Sequence, residues 1–378
     1  MSDPARGAPR GVTAAHKPGG DTAAAPKQRD PLAGRDPEAP MDEETRFEFE
    51  DALRRMPKLE LHLHHEGAAP PEFIRQLAAE KSVNLSGIFD RSGSYRYTDF
   101  PDFLRVYEAA TQVLKTPEDY HRLTLAVLEQ SAQHGVIYCE SFLSPDFCGG
   151  GDLPAWRDYL AAIEDAAGMA ERAHGITLRG IVTAVRHFGP DMAKRSALCA
   201  AETAGDFITG FGMGGDETKG HQGDFAYAFD MAREAHLKLT THAGEFGGPQ
   251  SIREAIRDLR VARIGHGVRA IEDMALVEEI AARGIVLEVC PGSNVALGLY
   301  ADVAAHPVKR LADAGVRVTI STDDPPFFHT DMTSEFIHLH NAFGWGLADF
   351  TALGQSAAAA AFCNEALRAR LIKRLEAF

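Results

Sequence analysis

Eight short apolar runs, at 58–63, 136–143, 177–185, 207–213, 237–242, 262–266, 284–289 and 316–321, set the plan of this chain. Several are separated by stretches with helical periodicity, such as 154–174, 190–204, 223–236, 249–258, 271–283 and 306–314. Strands that alternate with helices build βαβ units and a parallel sheet. Eight such units over roughly 250 residues predict an α/β fold of the (β/α)8 barrel type. A doubly wound sheet would also alternate, but no G-x-G-x-x-G turn follows any run to support a dinucleotide site.

Polar residues collect where these runs end. Run one leads into His62, Leu63, His64, His65, Glu66 and Gly67. Residues i and i+2 of a strand share a face, so His62 and His64 can aim their ring nitrogens at one point, and neutral imidazole is the commonest metal ligand. Run five ends at His242, with Glu245 just beyond; run six ends at His266; run eight is followed by Asp323 and Asp324. In a barrel the C-terminal strand ends converge on one face, where active sites sit; in an open sheet the first and last strands usually lie apart. The barrel therefore offers His62, His64, His242 and Asp323 as ligands of one metal ion, with Glu245, His266 and Asp324 left for chemistry.

The net charge of −15 argues against a nucleic-acid surface or an anionic membrane as partner, since both need clustered Lys and Arg. A small neutral or cationic substrate fits better. Five cysteines without C-x-x-C spacing are no disulfide framework. No apolar run is long enough to span a bilayer and the N-terminus lacks the apolar core of a signal peptide, so a cytoplasmic protein is expected. Residues 1–43 carry almost no large apolar side chain and are expected to form a disordered tail, with the barrel domain over 44–378. Between runs one and two a long helical insertion carries Phe100, Phe103 and Tyr107 on one helical face. They serve either ordinary core packing or a lid over the strand-one end. Residues 333–378 read as helices on the barrel's outside.

These motifs resemble the adenosine deaminase family of metal-dependent amidohydrolases. The resemblance is carried by His62-Leu63-His64, Gly214-Gly215-Asp216-Glu217, His242-Ala243-Gly244-Glu245, Gly265-His266-Gly267 and Ser321-Thr322-Asp323-Asp324-Pro325, in order, and runs from about residue 56 to 375. It implies one zinc ion held by His62, His64, His242 and Asp323, and hydrolytic removal of the 6-amino group of a purine. Glu245 would give a proton to N1. His266, helped by Asp323, would orient and deprotonate the water. Asp324 would meet N7, the backbone N–H of Gly215 would meet N3, and His64 and Glu66 would face the substrate. The other zinc deaminase design needs a P-C-x-x-C pair, which is missing. A two-metal site would want a bridging Lys or Glu where strand four ends in Gly212, Met213, Gly214 and Gly215.

The family's adenosine-specific members usually carry Asp, which binds the ribose 5′-hydroxyl, where this chain has Glu66. His65 replaces an apolar residue and Gly212 an Asp. Adenosine or 2′-deoxyadenosine is the first substrate expected; adenine, an N6-substituted purine or another adenosine derivative such as aminodeoxyfutalosine is the alternative that Glu66 raises. A catalytically silent binding protein would not need Glu245. The remaining histidines are expected to be structural, with His187, which follows run three, the first candidate for an exception.

Overall fold

The computed structural model describes residues 30–33 and 41–378. Each of the eight runs forms a strand: β1 Lys58–His64, β2 Val136–Leu143, β3 Thr177–Val185, β4 Ile208–Gly214, β5 in two pieces Lys238–Leu239 and His242–Ala243, β6 Arg263–His266, β7 Val286–Val289 and β8 Arg317–Ile320. All neighbours pair in parallel. β5 is irregular at Thr240 and Thr241, yet the ladder crosses the break, with Thr240 N–H donating to Phe211 O at 3.1 Å and Gly265 N–H to Thr241 O at 2.9 Å. The ring closes between β1 and β8. His64 N–H donates to Asp323 O at 2.9 Å and Asp323 N–H to His62 O at 3.2 Å. The fold is the expected (β/α)8 barrel, and its closure joins residues at opposite ends of the chain.

The strands are buried on both faces, as helices outside and side chains inside require. The outer helices follow ordinary rules. Leu153–His174 starts where the Asp152 side chain accepts from Ala155 N–H, buries Trp156, Leu160, Ile163, Ala167 and Ala170 along one stripe, and stops at Gly175 with φ +70°. The barrel floor is polar: Arg263 donates to Glu288 at 2.6 Å and to Glu140 at 2.5 Å, all three fully buried.

The insertion after β1 contains the helices Pro71–Lys81, Phe100–Thr111 and Pro117–Gln133. Phe100–Thr111 begins at Asp99, whose side chain caps Asp102 N–H, and lies across the mouth of the barrel. Phe100 packs on Phe246 with ring centres 4.1 Å apart, and Phe103 packs on Phe327 and Phe328. Phe103 is a core residue and Phe100, Phe103 and Tyr107 also line the cavity beneath, so both readings of this aromatic face hold. The C-terminal helices Met332–Phe343, Leu347–Ala360 and Glu365–Glu376 cover the outside near β1 and β8. A helix Glu43–Arg55, not read from sequence, precedes β1 and packs on Met332–Phe343. Most of the expected tail, residues 1–29 and 34–40, lies outside the described residues; Leu32, inside them, packs on the core. Among the described residues no helix is long and apolar enough to cross a membrane.

Candidate active site

The four expected ligands converge. His62 Nε2 and His64 Nε2 lie 3.3 and 3.2 Å from Asp323 Oδ1, and His64 Nε2 lies 3.1 Å from His242 Nε2. One donor atom from each of the four falls within 4.8 Å of the others. Their environment fits a cation. His62 Nε2 and Asp323 Oδ1 are buried without a hydrogen-bond partner, and the ligand atoms of a tetrahedral zinc site stand about 3.4 Å apart. The far ring nitrogens are committed elsewhere: His62 Nδ1 to Glu288 Oε2 at 2.8 Å, His242 Nδ1 to Met213 O at 2.9 Å. These partners hold the ring protons on Nδ1 and turn the Nε2 lone pairs to the centre.

Local backbone makes room for this. A Cβ on Gly265 would stand 2.7 Å from His62 Cε1, and one on Gly214 would stand 3.1 Å from His242 Cε1 and 3.2 Å from His64 Cε1. The glycines at the ends of β4 and β6 are therefore the floor on which three imidazoles rest. Asp323 and His266 have φ of +68° and +59°, a conformation that costs of order 1–3 kcal/mol per non-glycine residue and clusters at functional sites.

Glu245 is buried beside this centre. Burial, then the carboxylates of Asp323 and Glu217, push its pKa well above the usual range, which favours its protonated form. The loop that holds it is pinned by Glu217. That carboxylate accepts the backbone N–H groups of Gly244, Glu245, Phe246 and Gly247 and the hydroxyl of Ser251, at 2.6 to 3.0 Å. Burial lowers His266 to about 3, leaving a neutral ring, whose Nε2 is buried, unpartnered and 3.9 Å from Asp323 Oδ2. Ser293 Oγ donates to that same Asp323 oxygen at 2.8 Å. Asp324 does not cap the following helix Pro325–Phe328 with its side chain. Burial and the acids Asp323, Glu245 and Glu66 raise its pKa well above normal.

These groups open onto a cavity that is walled by Phe100, Phe103, Tyr107, Phe142, Phe147 and Phe328 and reached by His64, Glu66, Gly215, His242, Glu245, Asp323 and Asp324. Glu66 accepts Tyr120 OH at 2.9 Å and Tyr107 OH at 3.3 Å. Burial raises its pKa to about 7. Gly215 has φ +94°, and a Cβ there would lie 2.8 Å from His187 Nδ1. His187 also lines the cavity, with Nδ1 accepting Asp216 N–H at 3.2 Å. His65 points away, bonded to Ser141 and Thr124.

The sequence reading missed Glu288, Ser293 and Asn294. A strand-end signal existed for Ser293 and Asn294, which follow run seven directly, but not for their partners; Glu288 lies inside that run.

A parallel barrel with a His/Asp cluster at its strand ends that could hold a metal ion is the architecture of the amidohydrolases. The chain belongs to the adenosine deaminase family, whose model, described as Adenosine deaminase, matches residues 57–378. It is 46% identical over 319 residues to an adenine deaminase of Agrobacterium fabrum, spanning 84% of this chain and 97% of that protein. The crystal structure of adenine deaminase from Arthrobacter aurescens superposes with a TM-score of 0.78 at 29% identity, covering 85% of this chain and 98% of that one. An amidohydrolase from Burkholderia ambifaria, with bound Zn, also gives 0.78, at 25% identity, covering 90% and 97%.

Proposed function

We propose that this protein is a zinc-dependent adenine deaminase, converting adenine and water to hypoxanthine and ammonia. The observation that carries the reading is the convergence of His62, His64, His242 and Asp323 beside the buried Glu245 carboxyl in one cavity. Adenine replaces adenosine, the first expectation from sequence, for two reasons. The curated relatives at 43 to 46% identity are named adenine deaminases. The Glu66 carboxyl is also turned toward two tyrosine hydroxyls, one of them on the roof helix, which hold it in one orientation against the insertion.

Zinc held by the four ligands would supply water activated for attack at neutral pH. The chain's own groups do the rest. Attack at C6 puts negative charge on the ring unless N1 gains a proton, and Glu245 is held in the form that has one to give. Asp324, whose protonated form is favoured by burial and then by the neighbouring acids, can donate to the N7 lone pair. Gly215 N–H can donate to N3. His266 and Asp323 flank the side from which oxygen arrives, and the aromatic roof keeps bulk water out. Five unpaired cysteines, four of them buried, suit a reducing compartment, and we place the enzyme in the cytoplasm.

The test is a rate comparison of adenine, adenosine and N6-methyladenine, with zinc quantified in the same sample. A kcat/KM for adenosine equal to or above that for adenine overturns the substrate assignment; full activity in zinc-free protein overturns the mechanism.

A further inference from the structure

Four buried groups form a relay that ends on both Glu245 and His266. The backbone N–H of Val308 donates to His306 Nδ1 at 3.1 Å. A neutral imidazole has one proton, so the His306 proton sits on Nε2, which faces Asn294 Oδ1 at 3.1 Å. Burial lowers the His306 pKa to about 3, so the ring is neutral. Asn294 consequently cannot be turned end for end. Its amide nitrogen faces Glu245 Oε1 at 3.1 Å and His266 Nδ1 at 3.3 Å. Two amide hydrogens meet two acceptors. Asn294 is inaccessible to solvent and His306 nearly so. The two sit on separate segments, the helix Pro291–Ala296 and the turn before the helix Val308–Asp313, so their meeting is a product of the fold.

We propose that His306 and Asn294 are positioning residues that hold the Glu245 carboxyl in place and confine the ring proton of His266 to Nε2, the nitrogen facing Asp323 and the reacting centre. His266 then begins the cycle as a hydrogen-bond donor to an oxygen at that centre, which is worth most in a dry site, and the proton lost by the attacking water goes to the Asp323 carboxylate, not to His266 as the family resemblance implies. Neither Asn294 nor His306 lines the cavity itself; both act through their neighbours. The inference rests on the roles proposed above for Glu245 and His266.

The experiment uses the zinc-loaded full chain. With adenine as substrate, Asn294→Ala should lower kcat about 100-fold, with KM within about threefold and zinc stoichiometry unchanged. His306→Ala should lower kcat about tenfold, and His306→Gln should recover most of that, since its amide can replace the Nε2–H donor. The double variant Asn294→Ala/His306→Ala should be no worse than Asn294→Ala alone; losses that multiply would mean that His306 does not act through Asn294 and would overturn the relay. Long-range proton–nitrogen spectra of histidine-labelled enzyme should show His266 protonated on Nε2 in the wild type and a mixture of tautomers in Asn294→Ala. This readout needs no substrate, so it stays decisive if adenine proves to be the wrong one. A wild-type His266 protonated on Nδ1, or an unchanged kcat in Asn294→Ala, refutes the proposal. Should Asn294→Ala fail to fold, the wild-type spectrum and the His306→Ala and His306→Gln pair carry the same decision.

Discussion

Glu288 Oε2 lies 2.8 Å from His62 Nδ1, and neither side chain has any solvent exposure. The same carboxylate accepts from Arg263 at 2.6 Å and from Thr240 at 2.9 Å. Glu288 thus couples a candidate metal ligand to the charged floor of the barrel. Groups in this position fix the tautomer of a ligating histidine, and their loss typically weakens metal binding or activity about 10–100-fold. Glu288→Gln should therefore surrender zinc to a chelator at least about tenfold more readily than the wild type. It should also unfold at lower temperature, because Arg263 is left with one carboxylate partner. Equal zinc retention in a competition titration would show that the Glu288 contact is incidental.

Glu245→Gln should keep zinc and fold but lose about 10²–10⁴ in kcat, the usual contribution of a positioned proton donor. The amide can still take the Asn294 hydrogen bond seen at 3.1 Å, which limits the damage to proton transfer. Metal analysis beside steady-state kinetics decides; turnover within a few-fold of wild type assigns the proton to another group.

Gly215→Ala puts a methyl 2.8 Å from His187 Nδ1 at a φ of +94°. Both the contact and the conformation oppose it. KM for adenine should rise by about tenfold or more, as a displaced N–H no longer reaches the substrate, while zinc content is unchanged. The pairing His187→Ala/Gly215→Ala removes the clash but not the backbone strain and should recover only part of the loss.

Glu66→Asp draws the carboxyl back by one methylene, away from Tyr107 and Tyr120. Space and one free acceptor then face the cavity, and the ratio of kcat/KM for adenosine over adenine should increase. The comparison is made on the purified variant with both substrates; a ratio that stays at the wild-type value rejects Glu66 as a discriminator.

Glu335 is fully buried, accepts Gly292 N–H at 3.1 Å and Thr330 OH at 2.7 Å, and has its pKa raised by burial from 4.5 to about 7. Because the folded value exceeds the unfolded one, its contribution to stability is complete below about pH 4.5 and is lost as pH rises through about 7. Relative to the wild type, Glu335→Gln should gain on the order of 2 kcal/mol between about pH 5 and pH 8. Unfolding measured at both pH values checks this, and a constant difference between the two proteins contradicts it.

The barrel was legible because its strands are short, apolar and evenly spaced between helical stretches, and period and spacing are local properties of a chain. The candidate ligands were legible for the same reason: His62 and His64 alternate along one strand, His242 ends a run and Asp323 follows one. The support around them was not. Glu288 reaches His62 across 226 positions, and Asn294, on the short helix Pro291–Ala296, meets Glu245 and His266 only after β7 takes its place beside β6. The left-handed backbone at Asp323 and His266 leaves no mark in residue type, since neither is glycine. Substrate choice was likewise undecided at Glu66. One methylene can be read from the sequence, but Tyr107 and Tyr120, 41 and 54 positions away, determine which way that carboxylate is held. Sequence determined the strands, the helices and which side chains end each strand, because these follow from neighbours along the chain. Only tertiary structure decided tautomers, proton positions and the shape of the cavity, because those depend on partners that closure of the barrel brings together.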